Sequence, residues 1–174
     1  MQVVDNIVEL PCADCGLCCG GPIYGHVPIF DSEVAHVRQV GLEVRPSPGG
    51  PAFPLPCPRL SGPRCTIYAA RPGACRRFRC RLLEGVEERV LSSADARATI
   101  AKAKTLVAAV APHLREGETF AAARAEWQKK RPSPGPRPDQ PGFELAMMVL
   151  NMFLDRHFRH ANSPIVDEEE VTAR

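Results

Sequence analysis

Eight cysteines carry most of the chemistry this sequence could do: Cys12, Cys15, Cys18 and Cys19 in one run, then Cys57, Cys65, Cys75 and Cys80. Thiols two residues apart on a Gly-containing turn can converge on one soft cation. Disulfide partners need a specific separation and orientation, which this spacing and the adjacent pair Cys18 and Cys19 make awkward. The pattern therefore points to metal ligation. Cys12-x2-Cys15-x2-Cys18 matches the first three ligands of a ferredoxin-type run, but Pro22 stands where the fourth cysteine belongs, and Cys57 before Pro58 is a remote substitute. The same spacing suits zinc, which takes cysteines from two distant segments to close a tetrahedron. Spacing leaves a zinc ion and an iron–sulfur cluster both open.

Few other residues compete for a role. His26 follows Cys19 and could replace a thiolate, although a lone histidine is more often an ordinary polar residue. His157 and His160 share a helix face by spacing but lack a third ligand. There is no Ser-His-Asp logic, phosphate-cradling loop or dinucleotide fingerprint. Between Arg59 and Leu83 stand Arg59, Arg64, Arg71, Arg76, Arg77, Arg79 and Arg81, with no Asp or Glu. These cations are read as offsetting the negative charge of thiolate-held metal. The weaker alternative is an RNA-binding zinc module using them as a phosphate patch.

The elements that must position these groups divide the chain. Its 174 residues, 44% of them apolar, fit one domain over 1–174 that needs no disulfides. Within it, 12–82 reads as a cysteine-cluster module, 92–160 as a helical part and 161–174 as an acidic, disordered tail. Asp31 and Ser32 start a short helix that Gly41 ends, and a strand fits within 23–30. The proline-rich stretch 45–58 reads as a loop that delivers Cys57. Residues 64–68 suggest a strand, and 71–78 one or two helical turns opened by Pro72. From Ser93 the apolar spacing turns helical up to Pro112. Thr119 caps a second helix, 131–142 is a linker, and a third helix over 143–160 reads as apolar nearly all round. The expected fold is mainly α: an irregular, metal-stapled cysteine-rich half with one or two short strands, then a helical hairpin plus a long helix. The first ten residues carry no secretory pattern and the longest apolar run is too short for a bilayer, so a reducing, cytoplasmic setting is expected.

The segments Cys15-Gly16-Leu17-Cys18-Cys19, Cys57-Pro58-Arg59-Leu60, Cys65-Thr66-Ile67-Tyr68 and Arg71-Pro72-Gly73-Ala74-Cys75-Arg76 stand in an order that resembles the CxxCxxCC cysteine-cluster (YkgJ-type) family of zinc- or iron-chelating domains. The likeness covers roughly residues 12–80. It implies a cytoplasmic metal-binding domain holding zinc or an iron–sulfur centre, with its biochemical role unassigned. It implies Cys15, Cys18, Cys19, Cys57, Cys65 and Cys75 as the principal ligands, with Cys12 and Cys80 as further candidates. Arg71 and Arg76 would stand just behind the ligands. A flagellin lysine N-methylase is similar in carrying this cluster, which keeps open a metal- or iron–sulfur-dependent enzyme of the group-transfer kind. The implied partner is the metal ion; no protein partner or membrane is implied.

Overall fold

The computed structural model describes residues 12–129, 133–137 and 139–160. The expected acidic tail and the leading ten residues lie outside this set. About half of the molecule is helical, and two small antiparallel sheets lie in the cysteine-rich half.

The long helices form where their caps and apolar spacing foretell. Helix α4, Ser93–Val110, is capped by Ser92, whose Oγ accepts from the Asp95 N–H at 3.1 Å, and it stops just before Pro112. Helix α5, Phe120–Trp127, is capped by Thr119. Helix α6, Gln140–His157, starts inside the expected linker because Asp139 accepts from the Gly142 N–H and Pro141 fits the first turn. Phe143, Met147, Leu150 and Leu154 form its buried face, each contributing roughly 1.5–3 kcal/mol. Its other side is not buried as expected: Leu145 and Met152 are 60% and 66% exposed, and Met148 and Val149 are exposed too. The main helix pair is α4 against α6, with α5 resting on α6, rather than the sequential α4–α5 hairpin.

This layer is joined by Leu17, Ile23, Leu82 and Val86 to make one core. Leu82, Leu83 and Val86 come from α3, Arg81–Glu87, a helix for which the sequence analysis gave no expectation. A buried ion network locks the turn before α6. Arg137, whose side chain is fully buried, pairs with Glu118 at 2.8 Å and Glu126 at 3.0 Å, while Arg115 binds the same two carboxylates. The Arg137 guanidinium also stacks over Phe143 at 3.7 Å.

A second core lies beneath the sheet: Ile29, Val37, Leu42, Phe53 and Leu55. Val37 belongs to α1, Val34–Gln39, which follows a 3-10 turn at Asp31–Glu33. The sheet consists of β1 (His26–Pro28), β2 (Arg45–Ser47) and β3 (Gly50–Pro54), in the order β1-β3-β2. This corrects the expectation of a loop over 45–58, and with β4 (Leu60–Ser61) and β5 (Arg64–Cys65) it corrects the expectation of one or two strands. The prolines are tolerated because each removes only an N–H. Pro46 faces Pro51 across the ladder, a position where neither needs to donate, and the Pro51 carbonyl still accepts from the Ile29 N–H at 2.9 Å. Helix α2, Gly73–Arg77, forms as expected, with Pro72 as its N-cap. Among the described residues no helix is long and apolar enough to cross a membrane.

Candidate metal centre

Tight turns set the first four cysteines. Cys12 is helical together with Ala13, and the Cys15 N–H donates to the Cys12 carbonyl at 3.3 Å. Gly16 adopts φ +70°, and a Cβ there would stand 3.1 Å from the Pro63 Cα, so this turn can fold closely onto the β4–β5 tip only with glycine. The Gly20 N–H then returns to the Gly16 carbonyl at 2.8 Å and the Gly21 N–H to the Cys18 carbonyl at 3.3 Å. The Cys57 N–H donates to the Cys19 carbonyl at 2.8 Å, which joins the sheet side to the first run. A turn from Cys57 leads into β4, and β5 brings back Cys65 opposite Leu60. Cys75 lies within α2 and Cys80 is the N-cap of α3.

All eight cysteines line a single cavity of about 540 Å³. Every one is a free thiol; Cys12 is exposed at the rim and the rest are partly buried. Among the described residues no Asp or Glu lines the cavity, so its donor set is sulfur-rich and fits a soft cation, zinc or iron, rather than calcium or magnesium. Among the described residues no three potential ligands already stand close enough to hold a metal ion. The thiols share the space, and side-chain rotation would have to draw them together.

Burial dominates the electrostatics. It pushes the Cys15 and Cys75 thiols up to about 12 and Cys19 up to about 11, and it raises Cys18 well above the ordinary thiol range. Neighbouring thiols push the same way. The Arg71 charge acts to lower Cys19 and Cys75, and Lys104 does so for Cys15, but neither overcomes burial. The nearby cations alone therefore leave these groups as neutral thiols at pH 7.

The arginines are divided in their roles: Arg71 and Arg79 act to lower Cys12 and Arg59 to lower Cys57, as charge compensation expects, while acids meet some of the set. Arg64 pairs with Asp14 at 2.8 Å, Arg77 with Glu33 at 3.3 Å and Arg79 with Glu87 at 2.7 Å, so acids distant in sequence meet much of the charge. These pairings also weaken the phosphate-patch reading. Arg71 stays at the cavity, its guanidinium 3.4 Å above the Tyr68 ring and its Nε donating to the Tyr68 carbonyl at 2.8 Å. Arg76 is exposed and its Nε donates to the Arg71 carbonyl at 2.9 Å, so it steadies the segment bearing Arg71 rather than facing the thiols. His26 lines the cavity from β1. His157 stacks on Phe153 and His160 bonds the Arg79 carbonyl, so these two form no shared site.

Several groups that hold the site carry no signal in the sequence. The Glu33 carboxylate accepts from the Phe30 and Ala74 N–H groups, both at 3.2 Å, tying α1 to the helix of Cys75. Burial works to raise its pKa, but those hydrogen bonds and Arg77 outweigh it and keep the carboxyl below its ordinary value. From the helical half, Arg124 donates to the Pro22 carbonyl at 2.8 Å, and buried Arg159 reaches the carbonyls of Pro22 at 3.2 Å and Ile23 at 3.1 Å. Lys104 donates to the Asp14 carbonyl at 2.9 Å. The turn that carries the first cysteines is thus held from the α4, α5 and α6 side.

With eight thiols around one cavity, the likeness to known proteins can be stated. Residues 11–96 match the CxxCxxCC family, described as a putative zinc- or iron-chelating domain. That match takes in all eight cysteines. The CxxCxxCC match extends past the cysteines through α3, whose Leu82 and Val86 enter the main core beside Leu17. No curated protein and no solved structure matches the chain.

Proposed function

We propose that the protein binds zinc or an iron–sulfur centre through its clustered cysteines, and that the metal organises residues 12–82. The observation that carries this is the convergence of all eight free thiols on one cavity that no carboxylate among the described residues lines. The CxxCxxCC match over residues 11–96 supports the same chemistry. Bound metal would supply the positive charge that deprotonates and holds the thiols, and its binding energy would appear as order in the irregular half. Arg71 would stand behind the ligands as a hydrogen-bond donor or counter-charge, and Arg76 would keep the Arg71 segment in place.

Anaerobic purification followed by elemental analysis, sulfide assay and an absorption spectrum tests this reading. Brown protein with iron and inorganic sulfide identifies a cluster, and colourless protein with stoichiometric zinc identifies a zinc site. Protein that holds neither metal, and takes up neither after reduction and reconstitution, overturns it.

A further inference from the structure

The eight thiols divide into two groups, and the division falls between the neighbours Cys18 and Cys19. Cys15, Cys18 and Cys80 pack against the helical core of Leu17, Leu82 and Phe158. Cys57 and Cys75 pack instead against the sheet core of Val37, Phe53 and Leu55. Backbone geometry assigns the other three. Cys12 accepts from the Cys15 N–H and joins the first group, while Cys19 accepts from the Cys57 N–H and joins the second. Cys65 returns on the β4–β5 hairpin that the turn at Cys57 opens, so it falls with Cys57.

The mutual influence of the thiols follows the same line. Those acting most on Cys18 are Cys80, Cys15 and Cys12, after burial itself; those acting on Cys75 are Cys19, Cys57 and Cys65. Cys12 stands at the divide: it acts on Cys15, Cys18 and Cys80 but also on Cys19, and the thiol acting on it is Cys65. Lys104 acts on Cys15 in the first group, whereas Arg71 acts on Cys19 and Cys75 in the second and also on Cys12, so the cations do not follow the divide. Size does favour a division. A cavity of about 540 Å³ is far larger than one ion needs, given that a water molecule's share of liquid volume is about 30 Å³. Consecutive residues such as Cys18 and Cys19 also direct their side chains apart more readily than onto one ion.

We propose that the protein carries two four-thiolate metal centres, one on Cys12, Cys15, Cys18 and Cys80 and the other on Cys19, Cys57, Cys65 and Cys75. This rests on the metal-binding reading above and adds its stoichiometry and ligand sets. Cys12 and Cys80 become full ligands rather than spare thiols. Cys18 and Cys19 become the hinge between two centres that share one wall.

The test uses the full chain, reduced and metal-free under anaerobic conditions, with cobalt(II) as the optical probe. Titration should end at two cobalt per chain with a four-thiolate spectrum. Paired substitutions within a group, Cys15→Ser with Cys80→Ser or Cys57→Ser with Cys75→Ser, should each keep one intact four-thiolate centre and half of the signal. The cross-group pair Cys15→Ser with Cys75→Ser should lose the four-thiolate signature altogether. An endpoint at one cobalt, or within-group and cross-group pairs that behave alike, overturns the two-centre arrangement. Circular dichroism of the helices checks each variant for folding. The unsubstituted chain provides a second measurement: with one cobalt equivalent, alkylation and mass spectrometry should find protection confined to complete groups, and protection spread over Cys18 with Cys57 and Cys75 overturns the proposal. Failure to bind any cobalt overturns metal binding itself, whereas a single site overturns only the division into two.

Discussion

Arg71 and Arg76 stand five residues apart in the chain but do different physical work. Arg71 lines the cavity and its charge opposes the burial of Cys19 and Cys75, whereas Arg76 reaches only the Arg71 carbonyl. Arg71→Ala should weaken metal retention by about tenfold, the usual effect of losing a partner just behind the ligands, and Arg76→Ala by much less. Competition with a coloured chelator measures both; equal losses would show that neither guanidinium acts on the thiols directly. At this scale the cysteines were legible in the sequence because ligand type and spacing are local properties. Glu33 was not, because its carboxylate finds its purpose at Ala74 and Arg77, and nothing in the local pattern of 31–34 names those partners. The same holds for Asp14 with Arg64 and Glu87 with Arg79; with Glu33 and Arg77, three of the seven arginines meet acids that only folding brings to them.

Among the elements, α4, α5 and α6 were legible from the repeating apolar stripe in each segment, although the Asp139 cap that starts α6 at Gln140 reads in sequence as linker. The β2–β3 hairpin was not, because proline scores against a strand wherever it stands, and only the register shows that Pro46 and Pro51 face each other without a missing bond. The exposed side of α6 was misread for a related reason: Leu145, Met148 and Met152 are apolar in type, but type does not say which face a neighbour covers. The ion network that joins α5 to α6 should set acid stability. Arg115, Ser133 and Arg137 hold the Glu126 carboxyl down to about 2 against its burial. A depressed carboxyl stabilises the fold above its ordinary value near 4.5 and loses that effect as the pH falls through about 2, so stability should decline across this interval. Glu126→Gln should cost about 3 kcal/mol at pH 7 and flatten the decline, with Glu118 leaving a residual slope, as followed by urea unfolding at successive pH values. Arg159 gives a second element-scale test. It joins the end of α6 to Pro22 and Ile23, and Arg159→Ala should destabilise the protein by roughly 3 kcal/mol and speed alkylation of Cys18 and Cys19. Unchanged alkylation would mean that the turn keeps its shape without this clamp.

Taken whole, the molecule has two apolar cores, a larger one among the helices and a smaller one beside the cysteine-rich loops. The first is built on α4 and α6; the second lies beneath the short strands and meets the thiol-lined cavity. Chelation under anaerobic conditions should speed hydrogen exchange across 12–82 while α4 and α6 stay protected. Uniform loosening, or none, would contradict a local role for the metal. The clamps on the Pro22 carbonyl carry a further implication about time. Arg124 and Arg159 lie 102 and 137 residues after Pro22, so the cysteine run leaves the ribosome long before the groups that fix it exist. At ordinary rates of synthesis that interval is on the order of ten seconds. During it the first thiols are tethered but unclamped, open to oxidants and to the wrong metal. On the metal-binding proposal, capture in the final geometry would be a late event that waits for the last helix, and the nascent thiols would need reducing surroundings until α6 has docked.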